Sequence, residues 1–243
     1  MMSEGNKNQL MKIYDLLLQA YGYQGWWPLS TETESKGFDE RGYHKKDYIH
    51  PQTEAHKLEI CIGAILTQNT AWKNVEKALI NLKKQNLMNA EKIIAADNKR
   101  LSAIIKPAGY YNIKSKKLKA FAKFFIVHKE KFNSSSIERE SLLSMWGVGK
   151  ETADSILLYA LDKPFFVIDA YTKRIFSRIG FFDEKISYEK AQEFFHKNLA
   201  NDYKLFNEYH ALIVEHAKQH CAKKPKCRGC VLRNKCKYFK SLR

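Results

Sequence analysis

Nowhere does the sequence hold an apolar run approaching the ~18 residues that span a bilayer, so no membrane-spanning helix is expected. The opening Met-Met-Ser-Glu-Gly-Asn-Lys lacks the charged start and apolar centre of a secretion signal, so a cytoplasmic protein is expected, associated with the chromosome if DNA is its partner. No segment alternates apolar and polar residues as a half-buried strand does, and the expected fold is all-α. Acid is scarce relative to base: 26 Asp and Glu face 42 Lys and Arg, a formal net charge of +16. That imbalance implies a polyanionic partner, nucleic acid first and an acidic membrane surface second; the alternative is a soluble protein that is merely basic. With 243 residues and an ordinary 44% hydrophobic content, the chain can build one large or two small domains with a proper core.

What is present reads as a succession of helices. From Asn6 to Tyr21 the apolar residues Leu10, Ile13, Tyr14, Leu17, Leu18 and Tyr21 follow helical spacing up to Gly22. Trp26-Trp27-Pro28 then sits in a loop, where two indoles either line a slot or cap the core. The segment 30–53 is polar and reads as a long surface loop or partly ordered insertion. Glu54 to Leu66 is hydrophobic nearly all round, as a central helix is, with Cys61 packed inside it as a small hydrophobe. A polar break, Thr67-Gln68-Asn69-Thr70, must face solvent or a ligand, and Trp72 just beyond it faces either the core or the same cleft. Ala71 to Lys84, Ala90 to Ala96 and Asn98 to Ile105 follow as helices. Lys106-Pro-Ala-Gly-Tyr110-Tyr111-Asn-Ile-Lys114 mixes aromatics with lysines in a turn, a combination suited to wedging into or stacking on bases while meeting phosphates. A helix over 116–129 is expected to bury Leu118, Phe121, Phe124 and Phe125. Ser135 with Glu138 forms a capping-box pattern for a short helix ahead of Gly147-Val148-Gly149.

The chain is organised around that glycine pair. It reads as a tight hairpin between two helices, whose backbone N–H groups can cradle a phosphate because no side chain obstructs the approach. Thr152 to Leu161 continues as a helix and 164–168 as an extended connector. Asp169 then stands where the next helix begins, a carboxylate placed either to act on whatever the phosphate carries or simply to cap the helix. Helices to Ile179 and over 187–199 and 203–220 complete the pattern. Cys221, Cys227, Cys230 and Cys236 form C-x5-C-x2-C-x5-C within a stretch, 218–243, that carries ten Lys or Arg and no acid. Four thiolates so spaced suit a metal centre better than disulfides, and either Zn²⁺ or a [4Fe–4S] cluster accepts them. The charge around them suits a stapled DNA-contacting loop better than an electron carrier.

Together these residues, over roughly 58–236, resemble the endonuclease III superfamily of base-excision DNA glycosylases, whose mark is a helix–hairpin–helix followed by a Gly/Pro-rich loop and a catalytic Asp. The resemblance implies a two-domain helical fold: residues 54–163 as a six-helix-type domain holding the helix–hairpin–helix (about 136–161), and 1–53 plus 164–243 as a second domain with the cluster loop 221–236. It implies Asp169 as the catalytic group, and a [4Fe–4S] cluster on the four cysteines, whose first interval is one residue shorter than the commonest family pattern. Where bifunctional members carry a lysine nucleophile, this chain has Glu151; a carboxylate cannot form the imine that strand cleavage needs. The adjacent Lys150 is turned by about 100° from the direction of residue 151.

The nearer resemblance is to the bacterial 3-methyladenine glycosylases of that superfamily, through Trp26-Trp27-Pro28, Gly63 to Thr70, Lys106 to Asn112 and Gly147 to Asp154. It places Trp26, Trp27, Pro28, Trp72 and Glu151 around an extruded base. It puts Gln68, Asn69, Tyr110, Gly147, Gly149, Lys150 and Thr152 on DNA, with Gln68 filling the vacated stack and Tyr110 wedging the opposite strand. The cysteines and the 30–53 insertion depart from that subgroup. The expected protein is thus a monomeric, monofunctional glycosylase acting on double-stranded DNA with a damaged base, an alkylated purine such as 3-methyladenine first. The alternatives are a uracil/thymine mismatch glycosylase and a non-catalytic DNA-binding protein built on the same hairpin.

Overall fold

A computed structural model describes residues 4–33, 35–51 and 53–242. In chain order its α-helices are α1 (Glu4–Tyr21), α2 (Glu54–Leu66), α3 (Trp72–Lys84), α4 (Ala90–Ala95), α5 (Asn98–Ile104), α6 (Tyr111–Val127), α7 (Lys129–Asn133), α8 (Arg139–Leu143), α9 (Lys150–Leu161), α10 (Ala170–Ile179), α11 (Tyr188–Asn198), α12 (Tyr203–Gln219) and α13 (Lys237–Lys240). No strand forms among the described residues, as the absent alternation predicts. The chain divides into two compact units, one made of Trp27–Lys163 and one of Met1–Trp26 with Pro164–Arg243.

In the unit 27–163, α2 is the central helix, buried continuously from His56 to Leu66. Thr53 starts it by accepting a hydrogen bond from the His56 N–H. Two charged residues share its burial. Lys57 donates to the Phe132 and Asn133 carbonyls at 2.7 and 3.0 Å and to the Ser135 hydroxyl at 3.1 Å, so its ammonium replaces water with the acceptors at the end of α7. Glu59, wholly inaccessible, accepts from the Ser30 N–H at 2.5 Å, the Thr31 N–H at 3.2 Å and the Thr31 hydroxyl at 2.6 Å. Around α2, Phe121, Phe125 and Phe132 form an aromatic cluster with Phe125 and Phe132 centroids 4.5 Å apart.

Several expectations change here. The boundary between units falls between residues 26 and 27, not 53 and 54. The polar segment is tied down by Glu59, by an Arg41–Glu76 ion pair at 2.6 Å, by His56 on Glu32 at 3.0 Å and by Lys83 on the Ser30 carbonyl. It is therefore part of the unit built on α2. The Ser135–Glu138 capping box does not form: Ser135 adopts φ +52°, its hydroxyl is taken by Lys57, and α8 begins after Glu138 without a side-chain cap. The helix expected over 116–129 starts earlier, at Tyr111, and stops at Val127. Phe124 is only half-buried, stacked on His128 at 4.2 Å.

In the other unit, α1 packs on α11 and α12, and α10 packs on α12 and α13. Leu10, Ile13 and Leu17 of α1 are buried, at the spacing that predicted them. The extended connector buries Phe166, which stacks face to face on Phe195 at 4.0 Å. Tyr209 is inaccessible and donates to the Leu10 carbonyl at 2.8 Å, which fixes α12 against α1.

Candidate functional site

The hairpin joins α8 to α9. Gly147 stands at φ +85°, a conformation that side chains disfavour, and a Cβ there would also meet the Lys117 stem at 2.8 Å. Gly149 caps α9 at φ −95° with open space around it, so a ligand can approach the first amides of α9, which lie outside the helical hydrogen-bond ladder. The two helices are clamped by Arg139, which reaches the wholly buried Asp154 through two hydrogen bonds of 2.6 and 3.0 Å. At the tip, Trp146 is 56% exposed. Lys150 and Glu151 are both exposed, so burial does not distinguish them, whereas Thr152 is buried.

Two further loops are wired to this hairpin or to one another. Gln68 donates to the Gly147 carbonyl and to the Thr152 hydroxyl, both at 2.9 Å, and accepts from Lys117 Nζ at 2.6 Å. The residue expected to fill a vacated base stack therefore braces the hairpin. Asn69 beside it is exposed at φ +52°, and Tyr110 at φ +46° is 69% exposed. Lys114 lies buried behind both loops. Its ammonium donates to the Leu66 carbonyl, the Thr70 hydroxyl and the Ala108 carbonyl at 2.7–2.8 Å, so one cation holds the polar break against the tyrosine turn. Burial first, then the charge of Lys117, pulls its pKa down to about 8.

The tryptophans are not a set of parallel plates. Trp27 is 5% exposed and Trp72 is 9% exposed, and their rings meet edge to face at 5.2 Å and 89°, with Tyr159 against Trp27 at 5.2 Å. No flat base fits between the two in that geometry. Gly63 lets Trp27 approach α2 closely: a Cβ there would stand 3.0 Å from the indole. Pro28 is buried beside it, and His44 holds the Trp27 carbonyl through Nε2 at 2.9 Å. Trp26 belongs to the other unit, where it is half-buried and its carbonyl accepts from Asn207 at 3.0 Å.

In that second unit Asp169 caps α10: its Oδ1 accepts from the Thr172 N–H at 2.7 Å. Its Oδ2 faces His210 Nε2 of α12 at 3.7 Å, with the two side chains 12% and 13% exposed. Burial pushes the Asp169 carboxyl up, but His210 and the Thr172 amide outweigh it and hold the group below the ordinary carboxylate range.

Cys221, Cys227, Cys230 and Cys236 line one cavity, together with Ile175, Ile179 and Leu232, while Cys61 lies apart, inaccessible inside α2. Arg178 reaches the Cys221 sulfur at 3.3 Å and the Ala222 and Lys223 carbonyls at 2.8 and 3.0 Å, and the Cys236 thiol donates to the Arg178 carbonyl at 3.3 Å. Burial, followed by the neighbouring thiols, pushes the Cys230 thiol up; for Cys236 burial is again the main cause. Four soft sulfur donors around a shared cavity with an apolar wall fit a [4Fe–4S] cluster. Among the described residues no group of three or more His, Cys, Asp or Glu is arranged about a single metal ion.

The structure thus groups Gln68, Gly147, Gly149, Thr152 and Lys117 around the hairpin, Trp27 with Trp72, and the four cysteines with one another. His210 and the Arg139–Asp154 pair had no sequence signal, whereas Lys114, expected among the lysines that meet phosphates, is buried with its ammonium spent on Leu66, Thr70 and Ala108. His210 lies on a different helix from Asp169, and a buried lysine reads in sequence like any surface lysine.

Residues 62–201, more than half of the chain, match the family described as HhH-GPD superfamily base excision DNA repair protein. The chain is 44% identical to the candidate DNA repair glycosylase MJ1434 of Methanocaldococcus jannaschii, over 97% of this chain and 99% of that one. It is 30% identical to the endonuclease III of Sulfolobus acidocaldarius, over 73% and 80%. Among solved structures, the H. pylori 3-methyladenine DNA glycosylase MagIII bound to 1,N6-ethenoadenine superposes with a TM-score of 0.67 at 28% identity, over 90% of this chain and 98% of that one. A non-covalent endonuclease III–DNA complex superposes with a TM-score of 0.74 at 18% identity, over 100% and 99%, a likeness of fold. The chain belongs to the HhH-GPD superfamily of base excision DNA repair proteins, as a DNA repair glycosylase.

Proposed function

We propose that this protein is a monofunctional glycosylase that hydrolyses the N-glycosidic bond of an alkylated purine such as 3-methyladenine in double-stranded DNA and leaves an intact abasic site. The observation that carries the reading is Glu151, exposed in the first turn of α9, at the position where the family's strand-cutting members carry a lysine. Its carboxylate has no amine to condense with the sugar C1′, so water is the nucleophile. The choice of base is supported by the 28% identity to a 3-methyladenine glycosylase crystallised with a modified adenine. An N3- or N7-alkylated purine is cationic, so it departs without prior protonation.

Each residue then has a distinct role. The amides after Gly147 and Gly149 hold a DNA phosphate, with Lys150 and Lys117 adding charge. Tyr110 and Asn69, on exposed positive-φ positions, meet the duplex, and the damaged nucleotide is extruded. As the C1′–N bond breaks, its electron pair neutralises the cationic base, and Asp169 stabilises the positive charge developing on the sugar. Water adds to C1′ and its proton passes to Asp169. Cys221, Cys227, Cys230 and Cys236 would hold a [4Fe–4S] cluster, which when bound supplies four iron–thiolate bonds that order a basic loop. The protein acts as a monomer in the cytoplasm, on the chromosome.

The test is a base-release screen on duplexes bearing 3-methyladenine, 7-methylguanine, 8-oxoguanine, and uracil or thymine opposite guanine, with borohydride present in parallel. Release of the alkylated purines without a trapped protein–DNA adduct is expected. Release confined to uracil or thymine would overturn the substrate, and a trapped adduct would overturn the monofunctional mechanism. Glu151→Lys should gain a trappable adduct, since an exposed position accepts the change at a cost of no more than about 0.5 kcal/mol.

A further inference from the structure

The two oxygens of Asp169 are not equivalent. Oδ1 accepts from the Thr172 amide, a bond that the start of α10 requires, while Oδ2, with two acceptor sites, can hold one donor and still meet a substrate or a water. The side chain aimed at Oδ2 comes from outside α10: His210, one residue beyond the buried Tyr209 on α12. Tyr209 anchors that part of α12 by donating to the Leu10 carbonyl. Glu208, the acid nearest to His210 in sequence, is turned to the Gln24 N–H at 2.7 Å. Around the Asp169 carboxyl, the groups that act on its charge are His210 from α12 and Thr172 from α10.

We infer that His210 is the positioning residue of Asp169: its Nε2–H holds Oδ2, fixing the rotation of the carboxylate and keeping it ionised in a buried setting. This rests on the reading of Asp169 as the catalytic carboxylate. At 3.7 Å the contact is longer than a hydrogen bond, and such contacts at catalytic groups tighten when the reaction complex forms. The chemical logic is that burial by itself drives a carboxylate towards its neutral form, which would neither stabilise a cationic sugar nor accept a proton from water. A rigid donor on a second helix offsets that tendency without occupying Oδ1. It also explains why the catalytic group is an aspartate capping a helix: one oxygen is held by its own helix, the other by a neighbour.

The test needs a readout independent of turnover. With 13C-labelled aspartate, the Asp169 carboxyl is assigned by its loss in Asp169→Asn and titrated in the full-length protein and in His210→Phe and His210→Gln. Near-ultraviolet circular dichroism confirms that each variant is folded. The expected result is a titration that moves up by about 1–3 units in His210→Phe and by less in His210→Gln, which keeps a neutral donor. The acid limb of the base-release rate should shift by the same amount, with DNA affinity unchanged. An unmoved Asp169 titration in both folded variants overturns the inference. If Asp169→Asn keeps full base release, the catalytic reading fails, and the carboxyl titration still decides whether His210 governs Asp169.

Discussion

At Asp169 the ionised state is also a contribution to stability. A carboxyl held below its ordinary range by folding stabilises the fold above the unfolded value, and that contribution disappears as pH falls through the folded value. Asn remains a good helix cap, so Asp169→Asn should keep the start of α10 while removing the charge. Its thermal midpoint should lie below that of the wild type above about pH 5, and the gap should narrow as acid is added. Base release by the same variant should fall by about 10²–10⁴-fold, with duplex binding retained. Differential scanning fluorimetry across pH, run beside a single-turnover assay, measures both. Full activity in the folded variant would remove Asp169 from the chemistry.

Among the elements, the short α8 is tied to α9 by a buried clamp. It has five residues and no side-chain cap, and Arg139 connects it to the inaccessible Asp154 of α9. Arg139→Met leaves that carboxylate buried without its cation and should cost about 3–5 kcal/mol, seen as a lower urea midpoint. Replacing both partners, Arg139→Met with Asp154→Leu, should recover much of the loss; no recovery would mean that the pair does more than neutralise itself. The long helices were legible in sequence because their buried residues recur at helical spacing, as Leu10, Ile13 and Leu17 do. The hairpin was legible because glycine is the residue that tolerates its backbone. What the sequence concealed were long-range polar contacts. Ser135 carries a helix-capping pattern, but Lys57, distant in sequence, takes its hydroxyl. Trp27 and Trp72 are aromatic in any reading, but their edge-to-face meeting depends on Gly63 and Tyr159, which periodicity does not connect.

For the whole molecule the dominant quantity is a net charge of +16. No helix among the described residues is long and apolar enough to cross a membrane, and an excess of base is what a DNA backbone selects. Affinity for an undamaged duplex should fall by about 10³–10⁵-fold between roughly 50 and 200 mM salt if about 6–10 phosphates are engaged. Fluorescence anisotropy across that range gives the slope, and a flat response would mean that the charge serves solubility instead. The base-release step should depend on salt only through binding. Glu59 has a different consequence, one of chain integrity. Among the described residues the segment beyond Trp27 has no helix before Glu54, and a single inaccessible carboxylate holds the Ser30 and Thr31 amides. Glu59→Leu should open that segment to limited proteolysis between residues 30 and 53 while the helical remainder resists. Trp27, only three residues before the anchor, should brighten or shift in fluorescence as its indole meets water. One side chain at the head of the segment then sets how readily a protease enters it, with the Arg41–Glu76 and His56–Glu32 contacts holding what lies beyond.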